Sequence, residues 1–189
     1  MQVAPCLGIV KTPIIFVHRL FGATALDVAT YEEIEADRNG TPQAVAVVLM
    51  SAAAAGIGAR GFGDGQNIPL VGIAVIALVA WTAWAAITLH IGGRMFPEPG
   101  TKVDIGELLR TLGFASAPGI LRIFGLIPPL ATPMFVLTAI WMLLAMIVAV
   151  RQALDYSSTV RAVAVCTFGF TLALFVAAVL GMLFTTPVA

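Results

Sequence analysis

The chain has 189 residues, of which 60% are hydrophobic and only 11% are charged, and its formal net charge is zero. Soluble domains carry about 25% charged residues, so this much apolar surface requires lipid and excludes an ordinary soluble domain. The zero net charge gives no support to nucleic-acid binding. The composition therefore predicts an integral protein of the lipid bilayer, with one membrane domain.

Residues 1–40 are predicted to form short helices in the cytoplasm or at the membrane surface. Thr12-Pro13 combines an N-cap residue with proline at the first helical position, which predicts a helix start. In the helix that follows, His18 and Arg19 stand among apolar residues. This pattern is typical of an amphipathic helix that lies on the membrane with its cations near the lipid headgroups.

A second short helix is predicted over 28–38, capped by Asp27 and ended by Asn39-Gly40. It is acidic, and its carboxylates are interpreted as a solvated helix face or, alternatively, as a docking patch for a partner. These residues are Glu32, Glu33, Glu35 and Asp37.

The first membrane span is predicted over 43–59. Small residues recur in it at a spacing of four, which lets helix backbones approach closely inside a bundle. We therefore expect this span to pack against its neighbours through Ala52, Ala54, Gly56 and Gly58.

The second span is predicted over 68–93, after a glycine-rich hairpin at 60–67. Trp81 and Trp84 fall inside it, and His90 comes near its end. A lone histidine at a span end is interpreted as an interface residue, with a proton relay as the alternative.

The third span is predicted over 105–127. Asp104 is positioned to cap its first turn, and Glu107 to reach back toward the same backbone groups. Arg110 lies three residues past Glu107 on the same helix face, so the two side chains can pair. Pro118-Gly119 should kink the helix.

A re-entrant hairpin folded at Pro118-Gly119 is the alternative to a crossing third helix. Arg122 follows near the far end of the segment. If the helix crosses the membrane, its side chain is expected to extend to the interface.

The fourth span is predicted over 133–152, opened by Thr132-Pro133, and the fifth over 159–184, capped by Ser157 or Ser158. The fold class is therefore all-α: a polytopic membrane protein in which 41–189 form a five-helix transmembrane bundle behind the N-terminal helices.

Charged residues collect at one end of this predicted bundle. Arg151 is expected to pair with Asp155 four residues on, or across the bundle with Glu107 or Asp104. The candidate charges for interaction with a partner, or for a structural role, are Asp104, Glu107, Arg110, Arg151, Asp155 and Arg161.

The distribution of cations predicts the orientation. With five spans and a cytoplasmic N-terminus, the outer face holds only Arg60 and Arg122, and the C-terminus lies outside. The inner face then holds Lys11, Arg19, Arg38, Arg94, Lys102, Arg110, Arg151 and Arg161.

No catalytic, cofactor or metal site is predicted, so the chain is not expected to be an enzyme. Its two histidines, His18 and His90, are isolated, and no metal-ligand spacing occurs. Cys6 and Cys166 are far apart and are expected to be free thiols. The predicted membrane interior has no acidic residue, which disfavours an ion-coupled transporter.

Two function classes remain. The first is a non-catalytic structural or accessory subunit that binds other membrane proteins or further copies of itself. The alternative is a small transporter, channel or lipid-handling protein, which requires a polar path that involves Ser116 or Arg122.

Three segments carry a family resemblance. GELLRTLGFASAPGILRIFGLIP at 106–128 resembles the central motif of the Yip domain family in its bacterial branch. VAVRQALDYSSTVRAVAVC at 148–166 and LDVATYEEIEADRNGTPQA at 26–44 resemble flanking segments of that family.

The resemblance implies a five-span protein of the bacterial cytoplasmic membrane. Eukaryotic members bind small GTPases and act in vesicle traffic, whereas the role of the bacterial branch is undefined. GTPase binding is not carried over, because the N-terminal region of this chain is short.

Overall fold

The computed structural model describes residues 7–62, 70–95, 104–169 and 171. Within these ranges the protein is all-α, as the sequence predicts. Its α-helices are α1 (Leu7–Thr24), α2 (Val28–Ala36), α3 (Thr41–Gly58), α4 (Leu70–His90), α5 (Ile105–Ala115), α6 (Pro128–Ala153) and α7 (Thr159–Gly169). Short 3₁₀ segments at Arg38–Gly40 and Ala59–Phe62, a longer one at Ala117–Leu126, and a π-helical turn at Ile91–Met95 join or extend them.

Two helical segments of the described chain are long and apolar enough to cross a membrane, Arg38–Phe62 and Pro128–Ala153. The second, which contains α6, has its large apolar side chains facing outward, where lipid would lie. They are Val136, Leu137, Ile140, Leu143 and Leu144. The residues that α6 buries are small, such as Ala131, Ala145 and Ala149. This arrangement is the packing expected of helices that associate inside a bilayer.

The third predicted span does not fold back on itself. α5 and the 3₁₀ segment Ala117–Leu126 run beside α3 in the same direction, because Gly113 packs on Ala44 and Gly119 packs on Ser51. Further along, Gly58 packs on the backbone carbonyl of Arg122. With rises of 1.5 and 2.0 Å per residue, the combined segment is about 36 Å long, which exceeds a hydrocarbon core of about 30 Å.

Two helix starts differ from the predicted ones. α1 begins at Leu7 and contains Pro13, and α6 begins at Pro128 rather than at Thr132. The first turn of a helix does not use its N–H groups, so the adjacent prolines Pro128 and Pro129 fit there. An interior proline such as Pro133 removes one backbone hydrogen bond, and here the helix continues past it.

Other boundaries lie close to the predicted ones, and some predictions fall outside the described residues. α2 ends two residues before the predicted limit, at Ala36, and α4 occupies most of the predicted second span. α7 starts where the fifth span was predicted to start. The hairpin beyond Phe62, the fifth span beyond α7 (apart from residue 171) and Cys6 lie outside the described residues.

Candidate functional site

Arg19 of α1 is a buried cation, with only 4% of its surface exposed. Its Nη2 lies 2.9 Å from Glu33 Oε1 and its Nη1 lies 2.7 Å from Asp37 Oδ2. Nη1 also donates to Gln43 Oε1 at 3.1 Å. The expectation that Arg19 lies near lipid headgroups is therefore wrong, because a buried guanidinium requires anionic and hydrogen-bonding partners and α2 supplies them.

Arg110 of α5 is equally buried, and it holds the other side of α2. Its Nη2 donates to the carbonyl of Glu35 at 2.6 Å, and its Nε donates to the carbonyl of Ile34 at 3.3 Å. These carbonyls belong to the last turn of α2, where they lack partners within the helix and where the helix dipole favours a cation. The expected Glu107–Arg110 pair is wrong because these acceptors take the guanidinium instead.

Arg19 and Arg110 together form what we call the arginine clamp. The two side chains lie on either side of Gly40, within ordinary contact distance of where its Cβ would be. They fasten α2 and the start of α3 to the bundle. Two of the four acids of the predicted docking patch, Glu33 and Asp37, form ion pairs with Arg19.

A second group of acids is not neutralised in this way. Glu35 is half-buried, and its pKa is raised to about 7, first by burial and then by the negative charges of Glu107, Asp155 and Glu32. Arg110 opposes the rise. We call Glu32, Glu35, Glu107 and Asp155 the acidic cluster. Gln152 Nε2 donates to Glu32 Oε1 at 3.1 Å and so ties the end of α6 to α2.

The raised pKa of Glu35 has a definite sign in the folding equilibrium. Between its ordinary pKa of 4.5 and about 7, the folded state binds the Glu35 proton more tightly than the unfolded state does. The contribution of this proton to the free energy of unfolding is therefore fully present below pH 4.5, and it is lost as the pH rises through about 7.

The end of α6 explains why Arg151 forms none of its expected ion pairs. Asp155 adopts a left-handed conformation, with φ of 51°. The Tyr156 N–H donates to the Arg151 carbonyl and the Asp155 N–H donates to the Gln152 carbonyl, both at 2.9 Å. This Schellman cap ends the helix before Asp155, so the spacing that would bring Arg151 and Asp155 together is lost. Arg151 Nε instead faces the Tyr156 carbonyl at 3.4 Å, and in the described structure it pairs with neither Glu107 nor Asp104.

The remaining predicted residues occupy separate places. Asp104 caps α5 as predicted, since its Oδ1 accepts from the Gly106 N–H at 3.0 Å. Arg161 lies exposed in the first turn of α7. Pro118 is buried at the start of the 3₁₀ segment, next to Gly119, so the helix changes type there.

The predicted packing residues on α3 differ in how deeply they are buried. Gly58 packs on a neighbouring backbone, as described above, and Ala54 is buried. Gly56 is half-buried. Ala52 lines an internal cavity.

This cavity has a volume of about 340 Å³ and lies between α3, α4, the α5–3₁₀ segment and α6. Most of its wall is apolar. The polar side chains that line it are Ser51, Trp81, Trp84, Ser116 and Arg122. The indole Nε1 atoms of Trp81 and Trp84 are buried without a hydrogen-bond acceptor among the described residues.

Arg122 is half-buried, and its side chain turns toward α6. Its Nε donates to Thr138 Oγ1 at 3.0 Å, and its guanidinium carbon lies 5.4 Å from the centre of the Phe135 ring. Both contacts are with α6, which packs against the 3₁₀ segment and draws the side chain inward. A cation–π contact of this kind stabilises a guanidinium by about 1–2 kcal/mol and leaves its charge uncompensated.

No group of three or more His, Cys, Asp or Glu side chains in the described ranges could hold a metal ion. A family model described as the Yip1 domain matches residues 27–180. The chain belongs to the Yip1 domain family. Searches of curated proteins and of solved structures find no match.

The Yip1 domain of this protein begins at the residue that caps α2, since Asp27 Oδ2 accepts from the Thr30 N–H. It therefore includes α2, the acidic cluster, Arg110, Arg122 and the internal cavity. Arg19 lies before it, so one half of the arginine clamp comes from outside the matched domain.

The sequence contained a signal for the burial of Arg19 that the amphipathic interpretation missed. On α1, Ile14, Val17 and Phe21 are exposed, whereas Arg19 and Ala23 are buried. One apolar stripe of this helix therefore faces outward, whereas the opposite side, which carries the small residues together with Phe16 and Leu20, packs on the bundle. Gly22-Ala23, four residues or fewer from Arg19, marks that packing side in the sequence.

Proposed function

We propose that this Yip-domain protein is a non-catalytic integral membrane protein, a structural or accessory subunit that binds other membrane proteins or further copies of itself. The observation that supports the proposal is the acidic cluster. Its carboxylates are held by three separate elements, α2, α5 and the end of α6. The pKa of Glu35 is raised first by burial and then by the negative charges of the other three carboxylates.

Among the described residues, Arg110 is the cation that opposes the rise in the Glu35 pKa. Two of its N–H groups donate to the backbone of α2. A lysine or arginine from a partner would relieve the repulsion at Glu35 and would gain charge-assisted hydrogen bonds. We therefore propose that the partner presents a basic segment to this end of the bundle.

For the membrane topology we propose five spans in a bacterial cytoplasmic membrane, with the N-terminus in the cytoplasm and the C-terminus outside. The positions of the arginines support this proposal: Arg38 and Arg110 lie at one end of the bundle, together with Arg151, and Arg60 lies at the other. Single cysteines at Arg38 and at Arg60 test it. An impermeant thiol reagent added to intact cells should label only the second.

The partner-binding proposal is tested by quantitative pull-down of a tagged chain from native membranes in a mild detergent. A partner or a second copy should be recovered at a fixed ratio. Glu107→Lys should reduce that recovery by about tenfold, because it places a cation where the partner's cation would bind. Arg60→Glu, a charge reversal at the opposite end, is the matched control and should leave the ratio unchanged.

The outcomes separate clearly. Recovery that is the same in Glu107→Lys, Arg60→Glu and the unmodified chain would contradict the acidic cluster as the docking surface. A monomer without stoichiometric partners would contradict the accessory role altogether.

The second candidate, a small transporter, channel or lipid-handling protein, is favoured by one specific observation, the internal cavity beside Arg122.

A further inference from the structure

We propose that the internal cavity, which lies between helices and is partly open to the outside of the bundle, is a binding site for a single-chain anionic amphiphile. In this proposal Arg122 contacts the acidic head group and the apolar wall contacts the alkyl chain. The proposal concerns the interior of the bundle and is independent of the acidic cluster at its end. It assigns a ligand class to the lipid-handling alternative: an alkyl carboxylate or an alkyl phosphate.

The first step is the depth of Arg122. Its partner Thr138 lies ten residues into α6, which places the hydrogen bond about 15 Å from the start of that helix. The backbone of Arg122 lies beside Gly58, in the last turn of α3, so the side chain extends from that end of the bundle toward its middle. Ser51 and Met142, which also line the cavity, lie near the middle of their helical segments. The guanidinium is half-buried between helices, where a charge is costly.

The second step is the missing counter-ion. No carboxylate of the described residues lies within ion-pair distance of Arg122, and its one side-chain acceptor is the Thr138 hydroxyl. A guanidinium carries five N–H donors, and this contact uses one of them. A half-buried guanidinium without a counter-ion is disfavoured, so the site is complementary to an anion.

The third step is the supply of further donors. Trp81 and Trp84 line the same cavity, and neither indole N–H has an acceptor in the described structure. Buried indole N–H groups normally find a partner. A carboxylate or phosphate has several acceptor oxygens and is the kind of group that Arg122 and these indoles could share, whereas a cation would meet only donors.

The fourth step is size. A cavity of about 340 Å³ lies at the small end of the range for small-molecule sites. That volume matches one medium-length alkyl chain better than the two chains of a phospholipid. Apart from the polar groups already named, the wall is formed by alanine, valine, leucine and methionine side chains, which match an alkyl chain.

The test uses the purified full chain in nanodiscs of zwitterionic lipid, with 11-bromoundecanoate as the probe. Bromine quenches tryptophan fluorescence at close range, and Trp81 and Trp84 report occupancy of the cavity. We expect saturable quenching, at least about tenfold weaker binding of the neutral 11-bromoundecanol, and competition by decyl phosphate but not by acetate.

Variants assign the charge recognition to Arg122. Arg122→Gln should bind bromoundecanoate about tenfold more weakly and should no longer distinguish it from the alcohol, whereas Arg122→Lys should keep the preference. Arg60→Gln, at the end of the bundle, is the control and should match the unmodified chain. Trp84→Phe should lower the quenching amplitude, because it removes one of the two reporters.

Equal affinity of the unmodified chain for the acid and the alcohol would overturn the proposal, and this comparison holds even if Arg122→Gln fails to fold. Unchanged discrimination in a folded Arg122→Gln variant would also overturn it. Competition by acetate as strong as that by decyl phosphate would mean that the site binds small anions only, and would refute the amphiphile.

Discussion

Replacing Arg110 with methionine should destabilise the protein more than any other single change at the charged end, where α2 meets the start of α5 and the end of α6. Methionine keeps most of the side-chain volume but leaves the carbonyls of Ile34 and Glu35 without a donor. A hydrogen bond from a charged group contributes about 1.5–3 kcal/mol. Because water reaches the half-buried Glu35 and partly replaces the lost donor, we expect a total loss of about 3 kcal/mol.

The assay is thermal unfolding in a fixed detergent at one scan rate, followed by tryptophan fluorescence. For a chain of this length, a loss of about 3 kcal/mol lowers Tm by about 6–12 °C. Arg110→Lys should have a Tm between those of the unmodified chain and Arg110→Met, because lysine keeps a cation at the end of α2 but lacks the guanidinium that donates to two carbonyls.

Arg151→Met is the matched control for this experiment. Arg151 lies at the same end of the bundle, but it makes a single long contact of 3.4 Å. Its removal should lower Tm by less than about 3 °C. If Arg110→Met lowered Tm no more than Arg151→Met, the assignment of Arg110 as the residue that fastens α2 would be refuted.

Three other changes test separate parts of the structure in the same assay. Glu35→Gln should raise stability at pH 8 by about 1 kcal/mol and at pH 5 by only a small part of that amount, because the half-exposed carboxylate no longer ionises; an equal effect at both pH values would contradict the raised pKa. Asp155→Gly should stabilise by about 0.5–1 kcal/mol because glycine favours the left-handed cap. Asp155→Ala separates the loss of charge from this backbone effect because alanine keeps the Cβ, and a gain as large as that of glycine would argue against the backbone explanation. Gly58→Ala should cost about 1–3 kcal/mol because its Cβ meets the Arg122 carbonyl, whereas Gly40→Ala, which has room for a Cβ, should change stability by less than about 1 kcal/mol; similar losses at the two glycines would refute the close contact.

Much of the local structure could be predicted because its signals are local. Asp27 and Asp104 cap the helices that follow them, as their spacing predicts. The apolar runs of α3 and α6 predict helices long enough to cross a membrane, and the structure confirms both lengths. Family membership was also predictable, because its motifs are continuous in the sequence.

The side-chain partners could not be predicted in the same way. Arg110 donates to backbone carbonyls about 75 residues earlier in the chain. Every residue has a backbone carbonyl, so the residue type does not show which one accepts the bond. The Arg151–Asp155 prediction assumed that α6 continues. The left-handed position that ends α6 is usually marked by glycine, but here it is occupied by an aspartate, so no residue type marks the end of the helix.

The contrast between Arg110 and Arg122 bears most directly on function. Both lie on one continuous segment beside α3, and both point into the protein. Arg110 donates two N–H groups to the last turn of α2, where the helix dipole favours a cation, and its charge acts on the nearby Glu35, so its burial is explained by the fold. Arg122 is half-buried and has a hydroxyl and an aromatic ring as partners, and neither carries a negative charge that would compensate the guanidinium. A charge that the described fold leaves uncompensated, beside a cavity large enough for an alkyl chain, is therefore better explained by a ligand than by stability.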